Sequence, residues 1–80
     1  MVFWYIKISE DDDVIVIGYS TEQNKECDGR LIYNKKTDTI KIEKISEGDE
    51  EFDAKRACQH AYGCIEENIL TYEKRKIVTG

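Results

Sequence analysis

The side chains in this chain that could do chemistry are few, and the tightest grouping is His60, Cys64 and Glu67. Spacings of four and three put all of them on one face of a helix. A His and a Cys one turn apart offer two ligands to a zinc ion, as two His do on zinc-binding helices. Cys27, far away in sequence, is the third ligand on offer. A closed zinc site needs about four donors, and the chain has no Cys-x-x-Cys pair to supply them. The same His60 and Cys64 can be read as a thiol–imidazole nucleophile. A reactive thiolate needs a helix N-terminus or a neighbouring cation, and a mid-helix Cys64 has neither. With one histidine in the chain, no Ser-His-Asp set is available either. The expectation is therefore no catalytic residue, no metal and no cofactor, with the metal or thiol reading of His60 and Cys64 as the weakest alternative.

Carboxylates form two clusters. Glu10, Asp11, Asp12 and Asp13 invite a calcium reading, but an EF-hand loop needs spaced ligands, a central glycine and a closing glutamate. A solvated turn is the plainer expectation. Glu47, Glu50 and Glu51, with Asp49 and Asp53, form the second cluster, at the start of a helix, where acid complements the dipole. If the two clusters lay side by side they would imitate a row of phosphates. That gives a second functional reading, an acidic mimic that blocks a nucleic-acid-binding enzyme, as small phage proteins do. Direct nucleic-acid binding is not expected. Trp4, Tyr5, Tyr19 and Tyr33 could stack on bases only beside a basic groove, which the sequence does not offer. Gly18, Gly29, Gly48 and Gly63 stand singly and make no phosphate loop.

The elements that must position these residues are readable from periodicity. Asp49–Arg75 has helical spacing, with Ala54, Cys58, Ala61, Ile65, Ile69 and Tyr72 in one apolar stripe. Small residues fill its first half, so close packing is expected there, and Cys58 reads as core. Asp49 is the expected N-cap, and Lys74, Arg75 and Lys76 are cations suited to the C-terminus. Before the helix come four strands: Val2–Ile8, Val14–Tyr19, Arg30–Asn34 and Thr39–Ile45. Ser20–Gly29 is a polar connection, and Lys76–Gly80 is either a tail or a short added strand. The order ββββα predicts an α+β fold, a four-stranded antiparallel sheet of two hairpins with one long C-terminal helix on one face, within one domain spanning residues 1–80.

Composition sets the remaining bounds. Net charge is −5, with seven Lys/Arg against fourteen Asp/Glu in residues 1–53 and five against three in residues 54–80. That balance disfavours nucleic acid and anionic membrane surfaces as partners. The Met1–Ile8 run is too short for a signal-peptide core, no apolar run reaches membrane-spanning length, and three cysteines are an odd number. A cytoplasmic protein with reduced thiols is expected. One pattern resists the simple picture. Strand four alternates apolar and charged residues, whereas strands one and two are apolar on both faces. One helix covers one face, so the other should be buried in a contact. The expectation is a non-catalytic protein-interaction module, homodimeric through Phe3, Tyr5, Ile15, Ile17 and Tyr19, with the choice of strand-two set depending on register. The competing possibility is that Ser20–Gly29 and the C-terminal tail fold back over that face.

Overall fold

A computed structural model describes residues 2–23 and 25–78. Five strands and one helix follow in the order β1 (Val2–Glu10), β2 (Val14–Ser20), β3 (Gly29–Asn34), β4 (Thr39–Lys44), α1 (Glu51–Glu66) and β5 (Arg75–Val78). The α+β expectation holds, with a fifth strand added. The sheet order is β4-β3-β2-β1-β5, antiparallel at every pairing. The first four strands are a meander. The helix then carries the chain from the β4 edge across one face to the opposite edge, where β5 pairs with β1 and Val2 lies opposite Val78.

The helix lies on the face built by Phe3, Tyr5, Ile15, Ile17, Tyr19 and Leu31. Its buried stripe is Ala54, Ala57, Cys58, Ala61 and Cys64. These side chains are short, so the helix backbone comes close to the sheet. The Tyr5 hydroxyl reaches it, donating 2.7 Å to the Ala57 carbonyl. Tyr19 does the same for the β4–α1 connection, its hydroxyl oxygen accepting from Ser46 N–H at 3.0 Å. Each polar tip of a buried ring thus has a partner, and the ring keeps its apolar contribution.

This overturns the expected contact set. Phe3, Tyr5, Ile17 and Tyr19 are 0% exposed and Ile15 is 7% exposed. They form the core beneath the helix and are not an outward face. The physical reason is the pair of hydroxyls: Tyr5 and Tyr19 find their acceptor and donor on the helix side, at Ala57 and Ser46. The opposite set therefore stays outside.

The helix is shorter than its periodicity predicts. Asn68 adopts φ 56, a left-handed conformation that stops helix propagation. Ile69 N–H bonds Cys64 O at 3.1 Å and Asn68 N–H bonds Ile65 O at 3.0 Å, the pairing of a Schellman stop with Asn in place of Gly. Ile69 and Tyr72 therefore leave the stripe, and Tyr72 is exposed. At the other end Glu50 is the N-cap, and its N–H donates to the Asp53 carboxylate at 3.0 Å. Asp49 instead accepts from the Thr21 hydroxyl at 2.9 Å.

Two glycines allow close approach. A Cβ on Gly18 would sit 2.8 Å from the Cys27 carbonyl, so Gly18 lets the chain at Cys27 lie flat against the sheet. Gly29 faces the Tyr19 ring, which covers the bare backbone where a side chain would stand.

Candidate interaction surface

Strand register sorts the remaining side chains. On the side away from the helix stand Val2, Trp4 and Ile6 of β1, Val14 and Val16 of β2, Arg30 and Ile32 of β3, Lys41 and Lys44 of β4, and Lys76 and Val78 of β5. Ile8 is the extra residue where the β1–β2 register slips between Lys7 and Ser9. That bulge turns it outward, and it is 42% exposed. Trp4, Ile6, Val14, Val16 and Ile32 are half-buried. Among the described residues four cations face this side through strand pairing, and one acid joins them: Glu43, the extra residue where the β3–β4 register slips between Arg30 and Leu31. Arg30, Lys41, Lys44 and Lys76 take no part in the ion pairs of the described residues, which use Lys7, Lys25, Lys35, Lys36 and Lys55. An acidic chain therefore carries one basic, apolar face.

Part of that face is roofed by the chain itself. The described parts of the connection between β2 and β3, residues 21–23 and 25–28, fold back over β1 and β2. The Cys27 thiol donates to Trp4 O at 3.4 Å, and Arg30 Nη1 donates to Cys27 O at 2.5 Å and Gly29 O at 2.9 Å. Lys74 Nζ reaches over β1 to Gln23 O at 2.7 Å and Lys25 O at 2.9 Å. Lys25 in turn ties the connection to the β4–α1 segment, donating to Ser46 Oγ and to the Glu47 carbonyl. Asp28 accepts from Ser46 Oγ at 2.6 Å. Between this roof and the sheet a cavity of about 530 Å³ opens over Ile6 and Ile8, walled by Glu26 and Cys27 and flanked by Arg30 and Lys74. Burial pushes the Cys27 thiol up, outweighing the opposing Lys74 and Arg30 charges, so it is not an activated nucleophile.

The residues singled out for chemistry do not converge. The His60 ring packs on Phe3 with centroids 5.4 Å apart, at one flank of the core. Cys64 is buried beside it, and burial, with Glu67 adding, raises its pKa. Cys27 lies across the sheet from both. Among the described residues no group of three or more His, Cys, Asp or Glu side chains is placed to hold a metal ion. Cys58 is likewise a buried thiol raised by desolvation.

The acidic clusters sit at opposite ends of the strands. Glu10, Asp11, Asp12 and Asp13 form the β1–β2 turn, beside the β3–β4 turn. Glu47, Glu50 and Glu51 lie by the connection at the other end. The first cluster is also committed internally. Glu10 is bonded by Lys35 at 2.7 Å and Lys7 at 2.6 Å, and those hydrogen bonds hold its carboxyl down at about 2. Asp11 Oδ1 accepts from Asp13 N–H at 2.8 Å and Val14 N–H at 2.7 Å, which lowers its pKa. Asp13 pairs with Lys36 at 3.2 Å. The contiguous row that a phosphate mimic requires is not formed. Of the four candidate stacking rings, Tyr5, Tyr19 and Tyr33 stand on the helix side and only Trp4 is on the open one.

The basic character of the open face was missed from sequence because its five cations, Arg30, Lys41, Lys44, Lys74 and Lys76, are scattered over 47 positions of an acidic chain. The signal was their phase against neighbouring core residues: Lys41 between Ile40 and Ile42, Arg30 beside Leu31. The chain matches no family model, and no curated protein or solved structure shows significant similarity to it. No described helix is long and apolar enough to cross a membrane.

Proposed function

We propose that this chain is a non-catalytic interaction module whose open sheet face docks an acidic, amphipathic segment of a partner protein. The observation that supports it is the sorting by register: Trp4, Ile6, Ile8, Val14, Val16 and Ile32 stand among Arg30, Lys41, Lys44 and Lys76, which outnumber Glu43 and enter no ion pair of the described residues. The apolar residues supply the driving force, about 25 cal/mol for each Å² covered. The cations orient the partner and speed encounter. A contiguous apolar zone of this kind on a sheet usually marks a contact site.

A second copy of the chain is the occupant that the sequence suggests, but it fits this face less well. A two-fold pair stacked face to face would bring each set of cations against its own image. Nucleic acid offers anions too. The rest of a chain with net charge −5 repels an extended polyanion, and a single ring gives no stacking row.

Selection from a displayed library of random peptides tests the reading. Selected sequences are expected to combine Asp or Glu with Leu, Ile or Phe. Their affinity should fall roughly tenfold or more in Ile8→Lys and Val16→Lys, and should weaken as salt screens the cations. Acid-free binders, or binders indifferent to both substitutions, overturn it. So does a two-chain mass by light scattering that reverts to one chain in Val16→Lys, or a single-stranded oligonucleotide that binds the same face more tightly than any selected peptide.

A further inference from the structure

The cavity lined by Gln23 and Lys25–Cys27 combines features that a docking face does not need. Its floor is aliphatic, from Ile6 and Ile8, and of the three cations that line it Lys25 is paired with Asp28 while Arg30 and Lys74 are not in ion pairs of the described residues. Arg30 and Lys74 are held in place by neutral groups. Arg30 uses one terminal nitrogen for the carbonyls of Cys27 and Gly29, and Lys74 spans the carbonyls of Gln23 and Lys25. Carbonyls orient a cation without cancelling its charge. Among the described residues no carboxylate comes within ion-pair distance of either group, Glu26 in the cavity wall included. The hydrogen bonds of Arg30 within the described residues all leave from Nη1, so the Nη2 side of its fork is available, and a lysine ammonium has three donors of which Lys74 uses two. Held cations with spare donors above an aliphatic floor match a ligand with one anionic end and one greasy end. A planar carboxylate suits the guanidinium fork.

We propose that this cavity binds an aliphatic carboxylate, its tail on Ile6 and Ile8 and its head between Arg30 and Lys74. A volume of about 530 Å³ falls in the range of small-molecule sites. The site goes beyond the docking role and does not depend on it. Two sources carry this chemistry, a free fatty acid and the terminal carboxylate of a peptide ending in an aliphatic residue.

Titration of ¹⁵N-labelled full chain with octanoate, octanol, octylamine and an N-acetylated tetrapeptide ending in leucine tests it. Octanoate, the peptide or both should give saturating shifts at the amides of Ile6, Ile8, Cys27 and Arg30. Octanol and octylamine should bind at least about tenfold more weakly, as expected when a charge-assisted pair is lost or reversed. Whichever of the two carboxylates saturates identifies the source. Arg30→Gln and Lys74→Gln should each weaken the carboxylate by roughly tenfold. Both residues also hold the roof, so Arg30→Lys and Lys74→Arg, which keep the charge, should retain most of the binding, and the ligand series on the unaltered chain needs no substitution. Octanol or octylamine binding as tightly as the carboxylates overturns the proposal. So do shifts from both carboxylates that spread over the sheet without saturating, or carboxylate affinity unchanged in Arg30→Gln and Lys74→Gln.

Discussion

Asp38 shows how one exposed carboxylate can organise two elements. It sits at φ 53 in the β3–β4 turn and accepts from the Tyr33 hydroxyl at 2.6 Å and the Tyr62 hydroxyl at 2.8 Å. The two rings meet edge to face, with centroids 6.1 Å apart. Tyr62 belongs to α1, so this carboxylate ties the helix to the far turn of the sheet. Its pKa is lowered by the two hydroxyls, and their hydrogen bonds to it, more than its charge, hold both tyrosines above their ordinary value, Tyr62 at about 12. The signs set a window. A depressed carboxyl contributes stability that is complete above its unfolded value of 3.8 and lost as pH falls through the lower folded value. A raised tyrosine contributes stability that is complete below 10.0 and lost as pH rises through about 12. Absorbance titration of the phenolate should show one tyrosine ionising near pH 12 in the native chain and returning toward 10 in Asp38→Asn. An unchanged profile in that variant would break the assignment.

At the scale of elements, strand positions were legible and the helix end was not. Period-two alternation marked β4 outright, but β1 and β2 are apolar on both sides, so the pattern alone could not say which set meets the helix. The helix was over-extended because Ile69 and Tyr72 keep the helical period beyond the stop at Asn68. The stop lies in backbone conformation, which residue spacing does not encode. Asn68→Gly should be neutral or slightly stabilising, whereas Asn68→Ala should cost about 1 kcal/mol, because a Cβ without a local hydrogen bond resists the left-handed region. Urea unfolding measures both. Two further glycines should respond with opposite signs in the same assay. A methyl at Gly63 meets nothing within 4 Å, and no contact explains the glycine, so Gly63→Ala should stabilise by about 0.5–1 kcal/mol through helix propensity. Gly18→Ala drives a methyl to 2.8 Å from the Cys27 carbonyl and should lift the chain at Cys27, at about 1–3 kcal/mol.

For the whole molecule, the arrangement of charge matters more than its sum. Acid clusters at the two ends of the strands, and the open face carries four cations against Glu43, so a net charge of −5 describes neither. The expectation that one sheet face would be apolar and uncovered by the helix came from β1 and β2. The identity of that face required the register. The committed carboxylates give the molecule an acid limit. Glu10 is held at about 2, and Asp11, Asp28 and Asp38 are lowered as well. Each supports folding above the ordinary carboxylate range and ceases to as pH falls through its folded value. The helix signal in circular dichroism should therefore hold at pH 5 and decline between about pH 4 and pH 2. Glu10→Gln should shift this by little, since exposed ion pairs are worth about 1 kcal/mol or less.

The pairing of Val2 with Val78 has a consequence for assembly. The first strand laid down is hemmed by the last, and the four residues Arg75–Val78 are what separate the flank of Trp4 from strands of other molecules. A chain halted before Arg75 should form the meander yet expose unsatisfied amides along β1, and should polymerise by strand addition, visible as rising turbidity where the full chain stays clear. Whether the β1 side of the sheet stays closed to strand addition thus rests on the protein's smallest element.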